Sequence, residues 1–176
     1  MQRAELKTYL LPFSLTGLIL VLDQLTKYLV VKFVEYGMPV DRLQDFFLLV
    51  HQKNTGIAFS MGADISGLLR LLVFVALPLV MLVILVAYYF KTTEFTRVQR
   101  WALCSILGGG LGNLIDRVFR PEGVIDFLSF RIFGLFGMER WPTFNVADTA
   151  VVVGGLLILL TSLHAAKKSG SATSEA

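Results

Sequence analysis

Four long apolar stretches organise the chain, separated by two long mixed segments and one short basic one. Residues 71–90 form the clearest stretch: twenty positions without a charge, enough helix to cross a hydrocarbon core of about 30 Å. Pro78 inside it is tolerated in a membrane helix and introduces a kink. Residues 101–115 form a second run, closed by Asp116, and residues 149–166 a third, with Asn145 and Asp148 at its entrance. The first stretch, from Tyr9 to Val34, is interrupted by Asp23, Gln24, Lys27 and Lys32. Its opening, residues 10–22, resembles the core of a signal peptide. Leu22-Asp23-Gln24 is no small-residue cleavage site, however, and apolar sequence resumes at Tyr28, so it reads as a retained span. The pattern predicts an all-α polytopic membrane protein with spans at about 9–34, 68–90, 101–116 and 146–166. Residues 1–168 form one integral-membrane domain, and the small polar tail 169–176 is expected to be disordered.

The mixed segments carry pattern of their own. Phe46-Phe47-Leu48-Leu49-Val50 and residues 124–132 are short, β-branched and aromatic, the signature of strands. They predict a small β element outside the membrane, and residues 58–63 a short helix on its surface.

Composition sharpens the class. Of 176 residues, 55% are hydrophobic and 16% charged, against about 25% charged in soluble domains; the mean hydropathy is +0.69. No basic block suits nucleic acid. Cys104 is the single cysteine, set in an apolar run, and reads as a packing thiol. Arg3, Lys7, Lys91, Arg97, Arg100, Lys167 and Lys168 crowd short segments on one side of a four-span arrangement. Arg42, Lys53, Arg117, Arg120, Arg131 and Arg140 are spread thinly over the longer loops. By the positive-inside rule both termini are cytoplasmic and the mixed segments face outward. Tyr88, Tyr89 and Trp101 then fall at the inner interface and Trp141 at the outer one.

Charge inside a span is costly, so each buried acid needs a partner or a task. Counting rise per residue, Asp23 lies about 21 Å above Tyr9, Asp116 about 22 Å above Trp101 and Asp148 about 27 Å above Ala166. All three fall in the outer third of the membrane, and Asp126 follows only ten residues after Asp116. Local readings compete with a functional one. Asp23 and Lys27, four apart, can neutralise each other on one helix face. Asp116-Arg117 can be the interfacial end of a span. Asn145 and Asp148 can cap the helix that follows. If two of the acids meet, however, they share one proton, and the pair can activate water and protonate a leaving amine. That is aspartic peptidase chemistry, and it calls for no metal and no other cofactor. His51 and His164 lack metal-ligand spacing, and no nucleophile elbow or phosphate loop occurs. Proton transport through the acids, or a non-catalytic assembly role, remains open at this level.

Five motifs occur in order: Asp23-Gln24-x-Thr26-Lys27, Asn54-Thr55-Gly56-Ile57-Ala58-Phe59, Gly112-Asn113-x-x-Asp116-Arg117, Val124-Ile125-Asp126-Phe127 and Phe144-Asn145-Val146-Ala147-Asp148. Together, over residues 5–168, they resemble the lipoprotein signal peptidase (signal peptidase II) family. The resemblance implies a four-helix aspartic peptidase of the bacterial plasma (inner) membrane, working as a monomer. Its substrates are diacylated prolipoproteins, cut just before the lipidated cysteine. It implies that Asp126 and Asp148 are the catalytic pair. Asn54, Asn113, Arg117 and Asn145 would bind substrate or orient the pair, while Asp23, Lys27 and Asp116 would be structural. Ile57 departs from the family's usual Ala, residues 117–123 are slightly rearranged or longer than usual, and residues 131–140 are somewhat extended.

Overall fold

The computed structural model describes residues 3–41, 45–56 and 67–174. The surface helix expected over residues 58–63 lies outside them. Helix α1 (Arg3–Leu10) breaks at Leu11-Pro12, and α2 (Phe13–Phe33) follows. Pro12 has no N–H to continue the ladder, and Ser14 closes the break by donating both its N–H and its hydroxyl to Leu11 O. Strands β1 (Val40–Asp41) and β2 (Phe47–Asn54) come next, then α3 (Gly67–Leu71), a π-helical turn (Leu72–Ala76) and α4 (Leu77–Lys91). Helix α5 spans Arg97–Phe119, strand β3 Val124–Phe130, and α6 Val146–Ser174. Among the described residues, four helical segments are long and apolar enough to cross a membrane: Leu6–Phe33, Gly67–Lys91, Arg97–Phe119 and Val146–Lys167.

Three departures from the sequence reading have local causes. Pro78 does not merely kink its helix. The Leu77 N–H pairs with Leu72 O, one residue farther back than in an α-helix, and this slip relieves the crowding a proline imposes on the preceding turn. Helix α5 begins before its apolar run because Thr96 and Gln99 form a reciprocal capping box, with bonds of 3.2 and 3.0 Å. It ends beyond Asp116 because that acid is paired inside the bundle. The tail expected to be disordered is helical to Ser174 in this structure.

Helix α5 is the axis of the bundle, packed against α2, α4 and α6. Its glycines allow that. A Cβ at Gly109 would lie 2.2 Å from Ala147 O of α6, and one at Gly110 would lie 2.6 Å from a Leu82 methyl of α4. Small residues at such contacts let helices approach in the absence of a hydrophobic drive between them. The outward faces are apolar: Val21, Val83 and Leu160 are each about 60% exposed, as expected of side chains facing hydrocarbon.

At the end remote from the sheet, two large polar side chains pack inside the bundle. Tyr89 is buried and donates to Tyr9 O at 2.7 Å. Arg100 is buried as well. It donates to the α4 C-terminal carbonyls of Tyr89 and Thr92 and stacks 3.9 Å from the Tyr9 ring.

The sheet is antiparallel, in the order β1-β2-β3. Strands β2 and β3 pair from Phe47↔Phe130 to Asn54↔Val124, with a bulge between Leu49 and Gln52. Strand β3 is buried along most of its length. Ile125 and Phe127 pack with Val30 and Val34 at the end of α2, so the sheet seals that end of the bundle. Arg131 pairs with Asp45 and Glu139, and Arg140 with Asp45 and Ser129. These arginines tie the sheet extension together.

Candidate active site

The acids at the sheet end form two connected groups. In the first, Lys27 has no exposed surface, and its ammonium donates to Asp23 Oδ2 at 2.8 Å, Asp116 Oδ2 at 2.9 Å and Asn113 Oδ1 at 3.0 Å. All three of its hydrogens are used. Arg120 lies 3.4 Å from Asp116 Oδ1, so two cations balance two carboxylates. The expected Asp23–Lys27 pair is present, but it belongs to an interhelical cluster rather than to one helix face. Asp23 also accepts from the Ala147 N–H at 3.0 Å, which places a carboxylate at the start of α6. Asp116 accepts from the Ile125 N–H at 3.3 Å and so holds the start of β3.

The second group is a ladder of carboxamides and carboxylates. Asn113 Oδ1 is occupied by Lys27 and by Asn145 Nδ2, so its own Nδ2 must point the other way; it donates to Asp148 Oδ1 at 2.7 Å. Asn145 Nδ2 reaches Asp126 Oδ1 at 2.7 Å, and Asn54 Nδ2 reaches Asp126 Oδ2 at 3.0 Å. Asn54 is aimed by accepting from the Gly56 N–H at 3.0 Å. The capping interpretation of Asn145 and Asp148 is also realised: Asp148 N–H donates to Asn145 Oδ1 at 2.9 Å, and Asn145 N–H to Asp148 Oδ2 at 3.1 Å. Capping and site-building are one arrangement, since the cap uses Asp148 Oδ2 and leaves Oδ1 on Asn113.

Electrostatics distinguishes the groups. Among the described residues, the side-chain donors to Asp126 are the neutral carboxamides of Asn54 and Asn145. Burial, and then the charge of Asp148, push its pKa up to about 7, against the pull of Asn54 and Asn145. Asp126 and Asn145 are buried, whereas Asp148, Asn113, Asn54 and Arg117 are half-buried, so the ladder is approachable from one side. Arg117 donates to Gly56 O at 2.8 Å and sits 5.0 Å from the Phe74 ring centroid.

All nine residues singled out from the sequence therefore meet in one region. The sequence reading assigned no role to Gln24, whose Nε2 lies within 3.1–3.2 Å of Asp23 Oδ2, Gly112 O and Asp116 Oδ1. A polar residue beside Asp23 within an apolar run was its available signal. Gly112 and Gly123 also went unassigned. A Cβ at Gly112 would lie 2.6 Å from Asp23 Oδ2; one at Gly123, where φ is +104°, would lie 2.3 Å from Asn54 O. No chain pattern announces such contacts.

A four-span membrane bundle capped by a small sheet, with polar residues gathered beneath it, defines a polytopic membrane protein with a buried polar site at one face. The profile of the signal peptidase II family matches residues 15–164, and the chain belongs to that family, membrane peptidases that process prolipoprotein signal peptides. It is 49% identical over 150 residues to a lipoprotein signal peptidase of Treponema denticola, covering 85% of this chain and 87% of that one. Relatives of the same name from Treponema pallidum (44%, covering 92% and 87%) and Borrelia hermsii (47%, covering 84% and 86%) are similar. A solved bacterial membrane enzyme, determined in meso at 2.3 Å, superposes with a TM-score of 0.74 at 27% identity over 87% of each chain.

Proposed function

We propose that Asp126 and Asp148 are a catalytic aspartic pair that cleaves diacylglyceryl-modified prolipoproteins just before the lipidated cysteine. One observation carries this reading: Asn113 and Asn145 tie the two carboxyl groups into one hydrogen-bonded ladder on the approachable side of the polar cluster. Asp126, pushed to about 7, retains a proton at neutral pH on a large fraction of molecules. The pair thus offers a carboxylate and a carboxylic acid together. The carboxylate takes a proton from water as its oxygen attacks the scissile carbonyl carbon, and the acid protonates the carbonyl oxygen. The tetrahedral diol then collapses: the amide nitrogen receives a proton from the pair, the C–N bond breaks, and the signal peptide leaves with a new carboxyl end. Asn54 and Asn145 orient Asp126, and Asn113 orients Asp148. Arg117 and Asn54, half-buried at the approach, bind the extended substrate backbone.

The protein works as a monomer in the bacterial inner membrane, with both termini cytoplasmic and the sheet end outward. That face suits a substrate whose acyl chains lie in the outer leaflet and whose cleavage point lies at the surface. The test is D126N and D148N assayed on a lipid-modified precursor in micelles. Each should lose turnover by at least about a thousandfold, as expected when one member of a cooperating pair is removed; retained cleavage by either variant refutes the assignment. A proteoliposome flux assay that detected acid-dependent proton transport would favour the transporter alternative.

A further inference from the structure

Beside the carboxylate ladder, at the sheet end of the α3–α4 span, lies a cavity of about 250 Å³ whose described lining shares only Arg117 with the residues used in the steps above. Its described lining combines two guanidinium groups, Arg70 and Arg117, with an apolar wall of Leu71, Phe74 and Val75, and with Pro121 and Gly123. No acidic residue is among them. Arg70 donates to Pro121 O at 3.1 Å, and Arg117 to Gly56 O at 2.8 Å. A guanidinium has five donors, so each retains capacity for further acceptors. The π-helical turn, Leu72–Ala76, contributes Phe74 and Val75 to the wall, and such turns recur at functional positions in helices. Gly123 links the cavity to the chemistry, because a Cβ there would lie 2.3 Å from the carbonyl oxygen of Asn54, the residue that holds Asp126.

Two cations backed by hydrocarbon at the end of a membrane span suit one chemical class, the oxygen-bearing glycerol region of a lipid. Apolar chains extend along the span while the oxygens meet the arginines. We infer that this cavity is a lipid-oxygen subsite and that Arg70 is its specificity-determining contact. The inference rests on the proposed function, which puts a diacylglyceryl group next to the scissile bond. The oxygens come either from the glyceryl esters of that group or from the phosphate of an adjacent anionic phospholipid.

The experiment compares wild type, R70Q and R70K in nanodiscs. The substrates are a diacylglyceryl-cysteine precursor and its dialkyl-ether analogue, which lacks the ester carbonyls. The discs are phosphatidylcholine with or without phosphatidylglycerol. R70Q should raise KM for the diacyl precursor roughly tenfold, the size of one charge-assisted hydrogen bond, with kcat held within about twofold, and R70K should recover part of the loss. If the substrate supplies the oxygens, wild type already shows the raised KM on the ether analogue and R70Q adds nothing to it. If phospholipid supplies them, the R70Q effect appears on both substrates only with phosphatidylglycerol present. An unchanged KM in R70Q overturns the inference. So does a KM rise that is equal on both substrates and independent of lipid, or a loss confined to kcat. Should R70Q fail to fold, R70K and the wild-type comparison of ester with ether decide the matter. D126N, run alongside, separates the two claims: turnover retained by that variant sinks the catalytic reading, whatever Arg70 does.

Discussion

At the scale of single residues, the informative contrast is between Lys27 and Asp126, both buried and oppositely served. Lys27 is fully partnered: three oxygens meet its three hydrogens, two of them carboxylate. Replacing it with Met leaves Asp23 and Asp116 buried without that cation. K27M should therefore destabilise the fold by about 3–5 kcal/mol, read as thermal unfolding in micelles. Asp23→Ala, by the same logic, should lower stability at least as much as it lowers turnover; full stability with abolished turnover would move Asp23 into the chemistry. Among the described residues no cation contacts Asp126, and its pKa is pushed up to about 7 from an ordinary value of 3.8. Between those values the folded state holds a proton that the unfolded chain has released. Its contribution to stability therefore falls as pH rises from about 4 to about 7, and is level above that. Measured against wild type, D126N should accordingly compare more favourably in Tm at pH 8 than at pH 5. The rate of wild type should decline on the alkaline side of about pH 7 as the shared proton is lost.

Helix ends and helix contacts make up the next scale. Asp23 on α2 meets the first N–H groups of α6, Asp116 on α5 meets the start of β3, and Asn113 on α5 meets Asp148 on α6. The geometry of the candidate site is thus a consequence of how closely α5 approaches its neighbours, and glycine sets that approach. G112A would drive a methyl toward Asp23 Oδ2; it should cost about 1–3 kcal/mol and reduce turnover together with stability. The capping box at Thr96 lies at the opposite end of α5, remote from the site. T96A should cost about 1 kcal/mol in unfolding and leave KM and kcat unchanged. These two substitutions on one helix separate packing that builds the site from packing that only maintains the helix.

For the molecule as a whole, the design is a lipid-facing exterior around a polar interior gathered at the sheet end. The proposed orientation puts Glu122, beside Lys53 on the outer surface, and the tail beyond Lys167 on opposite sides of the membrane. In intact cells an impermeant maleimide should label E122C and not S171C, while Cys104, 1% exposed, stays unlabelled in the folded protein. The reverse labelling pattern would invert the topology and put the substrate's acyl chains in the other leaflet.

Much of this was legible in order along the chain. Apolar run length determined the four spans, because crossing a hydrocarbon core demands about twenty apolar residues whatever their neighbours. Depth along each helix determined that Asp23, Asp116 and Asp148 share a layer, since rise per residue is constant. What depends on facing could not be read that way. Asp23 with Lys27 satisfied a local i,i+4 pattern, and Asn145 with Asp148 a local cap, so neither pair disclosed its partner on another helix. Only the tertiary structure decided that Lys27 bridges two helices, that Asn113 and Asn145 join Asp126 to Asp148, and that Gln24, Gly112 and Gly123 belong to the same region. Hydrophobic length and helical rise are properties of a segment taken alone. The direction of a buried carboxamide is decided by whichever donors and acceptors the other helices bring to it.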